Sequence, residues 1–167
     1  MTTRSLALTF FTALIVALGS LAVIGGAWFI ELVLGIKPCH LCLIGRLPHY
    51  AGIPVAAAAA FAARSDHHQH YARSFLVLAA AIYLIGAGIG AYHAGVEWGV
   101  FQGPTDCTGT LTQPALVDDF LKQLDTVKII RCDEVAMRIF GLSLAAWNAI
   151  ICFGLTFIAS LGAQGRR

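Results

Sequence analysis

The first residues in this chain whose types and spacing could do chemistry are Cys39 and Cys42, with Arg46 four residues after the second. A Cys-x-x-Cys pair serves either metal binding or thiol–disulfide exchange. Exchange needs a reactive thiolate, and a nearby cation lowers the thiol pKa. If a helix begins near Cys42, Arg46 lies on the same face one turn further on, where it would act as that cation. Standing alone it would be read as an interfacial anchor. Two further cysteines, Cys107 and Cys132, lie far downstream. The four together could in principle ligate a structural zinc. Against zinc, the second pair lacks a zinc-knuckle spacing, and an oxidising compartment favours disulfides over metal thiolates.

Other candidates are weaker. His67, His68 and His70 form a cluster that could be a metal-binding tract or simply a solvated loop. His49, three residues after Arg46, is a poor candidate for chemistry. Cys152 has no cysteine or charge beside it and reads as a small hydrophobe.

The elements that must hold these residues are apolar. The 167 residues are 58% hydrophobic and 12% charged, against about 25% charged for a soluble domain. Four runs, about 6–34, 41–63, 75–92 and 139–161, approach the roughly 17 to 25 residues that a membrane-crossing helix needs. The first follows Arg4 but is unbroken by charge from Ser5 to Ile30. A secretory signal has an apolar region of only about 7 to 15 residues, so a retained span is expected. The second run carries Arg46 near one end, where an arginine can snorkel to the interface. Small residues at 56–60 and the glycines Gly86, Gly88 and Gly90 suit close helix packing.

The expected fold class is therefore an all-α integral membrane protein, a four-helix transmembrane bundle in one domain, with outer loops at 35–46 and 93–138. The longer loop contains a stretch, 115–127, in which Leu116, Val117, Phe120, Leu121, Leu124 and Val127 recur at helical spacing behind Pro114. A short amphipathic helix is expected there, packed on the bundle or on the membrane surface.

An even number of spans puts both termini on one side. That side carries Arg4, Arg64, Arg73, Arg166 and Arg167 with Asp66, a dense basic set that favours the cytoplasm. Cys39, Cys42, Cys107 and Cys132 then all fall on the outer, oxidising side, where disulfides persist. A metal transporter would carry ionisable residues within its spans, and these contain almost none. A purely structural membrane protein would need no paired cysteines beside an arginine.

Three features together resemble the DsbB family of bacterial disulfide bond formation proteins. They are Lys37-Pro38-Cys39-x-x-Cys42-x-x-x-Arg46 after the first span, the Cys107 and Cys132 pair in the long outer loop, and Gly141-Leu142-Ser143-Leu144-Ala145-Ala146-Trp147 opening the fourth span. The resemblance implies a multi-pass protein of the bacterial inner membrane, with cytoplasmic termini and periplasmic redox loops. It implies a relay in which a reduced, DsbA-like thioredoxin-fold oxidase attacks a Cys107–Cys132 disulfide at Cys107. Electrons then pass to Cys39 and Cys42, and from Cys42 to a membrane quinone, ubiquinone or menaquinone.

In this reading the four cysteines are catalytic, and Arg46 and His93 bind the quinone. No metal and no nucleic acid partner is expected. Arg46 would stabilise a Cys42 thiolate and negative charge on the ring. His93, at the outer end of the third span, would help deliver protons or would simply cap the helix. Two positions depart from the family pattern: Gly45 stands where a larger, often acidic residue is expected, and His40 lies inside the Cys-x-x-Cys motif. The competing expectation is a zinc-binding or metal-transporting membrane protein that uses the Cys and His clusters.

Overall fold

The computed structural model describes residues 3–104 and 132–164. They form four long helices: α1 Thr3–Leu32, α2 His40–Ala62, α3 Gln69–Glu97 and α4 Leu144–Gln164. A 3-10 turn, Asp66–His68, leads into α3, and a two-stranded hairpin, β1 Arg138–Ile139 and β2 Leu142–Ser143, leads into α4. Cys107 and the amphipathic helix expected at 115–127 lie outside the described residues.

Contacts run round the bundle in chain order, from α1 to α2, α3 and α4 and back to α1. The ends near Leu32, His40, Glu97 and Leu144 therefore gather on one side. The packing is built from small side chains. Ala13, Ala17, Ala56, Ala59, Ala79, Ala80 and Ala159 surround Tyr83, Leu76 and Leu155 in the central cluster. Without a hydrophobic drive between helices in lipid, close backbone approach is what supplies dispersion energy. Gly90 lets α4 in, since a Cβ there would stand 2.7 Å from the Ala149 nitrogen, and Gly86 makes room for Pro48. Gly88 meets nothing within 4 Å, so close packing does not account for it.

The outward face is the reverse of a soluble protein's. Phe11, Leu18, Phe29, Val77, Ile85, Phe153 and Phe157 are exposed. Three helical stretches, Ser5–Leu32, Asp66–Glu97 and Leu144–Gln164, are long and apolar enough to cross a membrane, and no more than 33% of the apolar 18-residue segment within each is buried inside the bundle. Lipid must cover the remainder, because water would leave that surface at a cost of about 25 cal/mol per Å². The fourth helix, α2, is less apolar, as it carries Arg46, His49 and two prolines, Pro48 and Pro54. Its 23 residues, at about 1.5 Å each, still match the bilayer core.

Element bounds differ from the apolar runs in instructive ways. The third helix outruns 75–92 at both ends, so His93 belongs to α3 and not to the loop. The first ends at Leu32, and Gly35 turns the chain with a φ of 68°. The fourth run opens as a hairpin. Phe140 and Gly141 both take positive φ, 50° and 82°, the pattern of a type I′ turn. Ser143 then accepts a hydrogen bond from the Ala146 N–H at 3.2 Å, capping α4. Hydropathy alone does not separate such a hairpin from a helical turn.

Candidate functional site

Cys39 occupies the N-cap position of α2, where its sulfur accepts from the Cys42 backbone N–H at 3.3 Å. The motif thus sits on a helix N-terminus, whose unpaired N–H groups and dipole favour negative charge on the first sulfur. The Cys39 and Cys42 sulfurs are 3.0 Å apart and hydrogen-bonded, as free thiols. Cys39 is buried and Cys42 half-buried. The Cys39 Sγ also stands 3.7 Å from His93 Nε2. The hydrogen bond shared with Cys42 outweighs burial, and with help from His93 and the Cys42 N–H it holds the Cys39 thiol down at about 4.

His93 is itself buried, and its Nε2 is 3.9 Å from Glu97 Oε1, one turn along α3. The other carboxylate oxygen of Glu97 is buried with no hydrogen-bond partner among the described residues. Among those same residues, Cys39, Cys42 and His93 are the metal-capable side chains that converge. His67, His68 and His70 do not join them. His67 meets His68 edge to face, and His68 and His70 lie tilted against Tyr71, at the opposite end of the bundle.

Cys132 is 1% exposed and disulfide-bonded. It lies in one buried cluster with Cys39, Leu41 and Val96, against which Cys42 and Ile44 pack. A disulfide sulfur has no thiolate to offer a metal, so a zinc site drawing on Cys132 does not fit this arrangement.

Arg46 has partners on α1 that the sequence did not reveal. Its Nη1 donates to Glu31 Oε2 at 2.7 Å, its Nη2 lies 3.5 Å from the Ala27 carbonyl, and its guanidinium stands 5.8 Å from the centre of the Trp28 ring. Glu31 was visible only as a charge at the end of the first apolar run. Glu97 could have been suspected in the same way, as a carboxylate four residues after a candidate histidine.

Between the four helices lies a cavity of about 440 Å³, lined by apolar side chains of α1 and by Cys42, Arg46, His49, His93, Trp147 and Asn148. Ile139 and Phe140 of the hairpin reach its wall, and Trp147 Nε1 donates to the Ile139 carbonyl at 2.9 Å. His49, an unpromising residue in the sequence, is wholly buried here, with Nδ1 2.8 Å from Ser20 Oγ and Nε2 3.0 Å from Asn148 Oδ1. Cys152 lies 3.5 Å from the same His49 nitrogen. The site can thus hold two reactive sulfurs at the rim of an apolar chamber that has a few polar groups at separate depths.

The family model described as "Disulfide bond formation protein DsbB" matches residues 9–162. "Disulfide bond formation protein B 1" of Pseudomonas fluorescens Pf0-1 is 33% identical over 146 residues, covering 83% of this chain and 79% of its own. The protein of the same name from Pseudomonas fluorescens Pf-5 is 35% identical over 147 residues, with the same coverage. "Disulfide bond formation protein B" of Saccharophagus degradans is 28% identical over 153 residues, 89% of each chain. No solved structure matches.

Proposed function

From the premise that this chain belongs to the DsbB family of disulfide bond formation proteins, we propose that it re-oxidises a DsbA-like thiol oxidase and sends the electrons to a membrane quinone. The observation that carries this reading is the buried cluster in which disulfide-bonded Cys132 packs with Cys39 and Cys42, beside the apolar cavity that Cys42 lines.

The relay balances as two thiol–disulfide exchanges followed by one oxidation. A thiolate of the reduced partner attacks Cys107 in a Cys107–Cys132 disulfide, Cys132 leaves as thiolate, and the partner's second thiol resolves the mixed disulfide. The partner becomes a disulfide and the loop pair a dithiol. That dithiol then reduces a Cys39–Cys42 disulfide and is restored. Finally the Cys39 and Cys42 dithiol gives up two electrons and two protons and closes again. A quinone supplies the two-electron, two-proton acceptor for this last step.

The donor set fits such an acceptor: the chamber is apolar enough for a substituted ring, and its polar groups include Arg46 and His93. Arg46 would hold negative charge near the rim, with Glu31 fixing its position. His93, between Cys39 and Glu97, would carry a proton away from the dithiol. The hydrogen bond shared with Cys42, helped by His93 and the N-cap N–H, favours an ionised Cys39 sulfur ready for exchange.

The proposed location is the bacterial inner membrane, with the cysteine-bearing ends periplasmic and the connection around Ser65 cytoplasmic. The decisive experiment mixes the purified protein anaerobically with a reduced thioredoxin-fold oxidase and a quinone analogue, and follows quinone absorbance. Reduction that requires both cysteine pairs is expected. Absence of any thiol-dependent reduction would return the protein to the zinc-binding or structural readings. A single cysteine introduced at Ser65 should resist impermeant reagents added from outside, and labelling there would invert the topology.

A further inference from the structure

Two polar groups at the deeper end of the cavity take no part in the relay described above, and both belong to one hydrogen-bonded array. His49 lies three residues after Arg46 on α2, about 4.5 Å further along the helix axis at 1.5 Å per residue. Asn148 reaches the same level from α4, and both residues line the chamber.

The array fixes its own polarity. Asn148 Oδ1 can only accept, so the His49 Nε2 that meets it at 3.0 Å must carry the proton. His49 Nδ1 is then the acceptor, and Ser20, buried on α1, donates to it at 2.8 Å. With its oxygen engaged by His49, the Asn148 amide has its Nδ2 donors left over, and among the described residues they have no hydrogen-bond partner. They lie beside Gly45, where a Cβ would stand 3.4 Å from Nδ2. Gly45 is the position at which the chain departs from the family pattern by being small. A larger side chain there would cover the amide from the chamber.

We propose that the Asn148 amide, oriented by His49, donates a hydrogen bond to the deeper of the two carbonyl oxygens of a 1,4-quinone whose other oxygen lies toward Arg46. This rests on the reading that the cavity takes a quinone. The two oxygens of such a ring stand at opposite ends of a six-membered ring, a separation comparable to the step from Arg46 to His49. Asn148 is then a ring-binding residue and His49 a positioning residue. Gly45 is the gap that makes the donor available.

The test uses the full chain in detergent with Cys39 and Cys42 oxidised, so that nothing turns over, and a short-tailed 1,4-quinone isotopically labelled at one or the other carbonyl carbon. Infrared difference spectra are expected to show both carbonyl stretches lowered on binding to the native protein. In Asn148→Leu one of them should return to its unbound frequency, with Kd raised about tenfold, the worth of one hydrogen bond. His49→Leu should weaken the same shift, and His49→Gln, which keeps a donor for Oδ1, should restore it. Retention of both shifts in Asn148→Leu would overturn the assignment. So would a native spectrum with one carbonyl at its unbound frequency, a result that needs no variant to fold. If the native chain binds no quinone at all, the quinone reading falls and this assignment falls with it.

Discussion

The guanidinium of Arg46 donates to the Glu31 carboxylate at 2.7 Å, tying the second turn of α2 to the last turn of α1. Both side chains are largely withdrawn from water, at 12% and 23% exposure. Arg46 is therefore an anchor between two helices as well as a charge at the cavity wall, and the two roles separate experimentally.

Removing the arginine should damage both. Arg46→Ala leaves Glu31 partly buried and unpaired, which should cost about 1 to 3 kcal/mol of stability, and it should raise the quinone KM. Glu31→Gln keeps an acceptor for the guanidinium but not the charge, so it should lower the melting temperature while raising the quinone KM less than Arg46→Ala does. Steady-state quinone reduction and thermal unfolding, run on both variants, are the measurements. An unchanged KM in Arg46→Ala would reduce this residue to its anchoring role.

The ionisation of Cys39 gives a pH prediction with a definite sign. Its folded value, about 4, lies below the usual thiol range, so the reduced native protein binds fewer protons than the unfolded chain between those limits. The resulting stabilisation is fully present above the unfolded thiol pKa and is lost as pH falls through about 4. Thiolate ultraviolet absorbance of the reduced protein should persist well below neutral pH. Cys42→Ala removes the largest cause of the shift and should move that titration upward. A thiolate signal that vanishes near pH 8 in the native protein, about the ordinary value for a free cysteine, would contradict the hydrogen-bonded arrangement of Cys42, His93 and the N-cap around Cys39.

Cys132→Ala should leave Cys107 able to trap a mixed disulfide with a partner whose own resolving cysteine has been removed. Peptide mapping of the adduct is the check. An adduct running through Cys39 or Cys42 would reverse the order of the relay.

Close approach of α3 and α4 should make Gly90 intolerant of size. A Cβ there would meet Ala149 backbone atoms at 2.7 and 2.9 Å, and backbone cannot swing aside as a side chain can. Gly90→Val should destabilise by about 1 to 3 kcal/mol or more, read by loss of helical circular dichroism on heating. Gly88→Val, at a position with open space, should be nearly neutral by the same measurement.

What could be read from the sequence was what local chemistry dictates. The apolar runs announce membrane helices because lipid offers backbone groups no partner, so each crossing segment must satisfy its own hydrogen bonds. The Cys39-x-x-Cys42 spacing likewise suffices to bring both sulfurs to one helix N-terminus, since an N-cap and the third helical residue after it are neighbours by geometry. The amphipathic stretch at 115–127 and Cys107 fall outside the described residues. Only the tertiary structure decided the rest. It made Glu31 the partner of Arg46, put disulfide-bonded Cys132 into one buried cluster with Cys39, and turned His49 from a bystander into the link between Ser20 and Asn148. Those pairings join residues from different helices. Their meeting depends on helix rotation and depth within the bundle, which small-residue packing sets collectively and which no local run of sequence encodes.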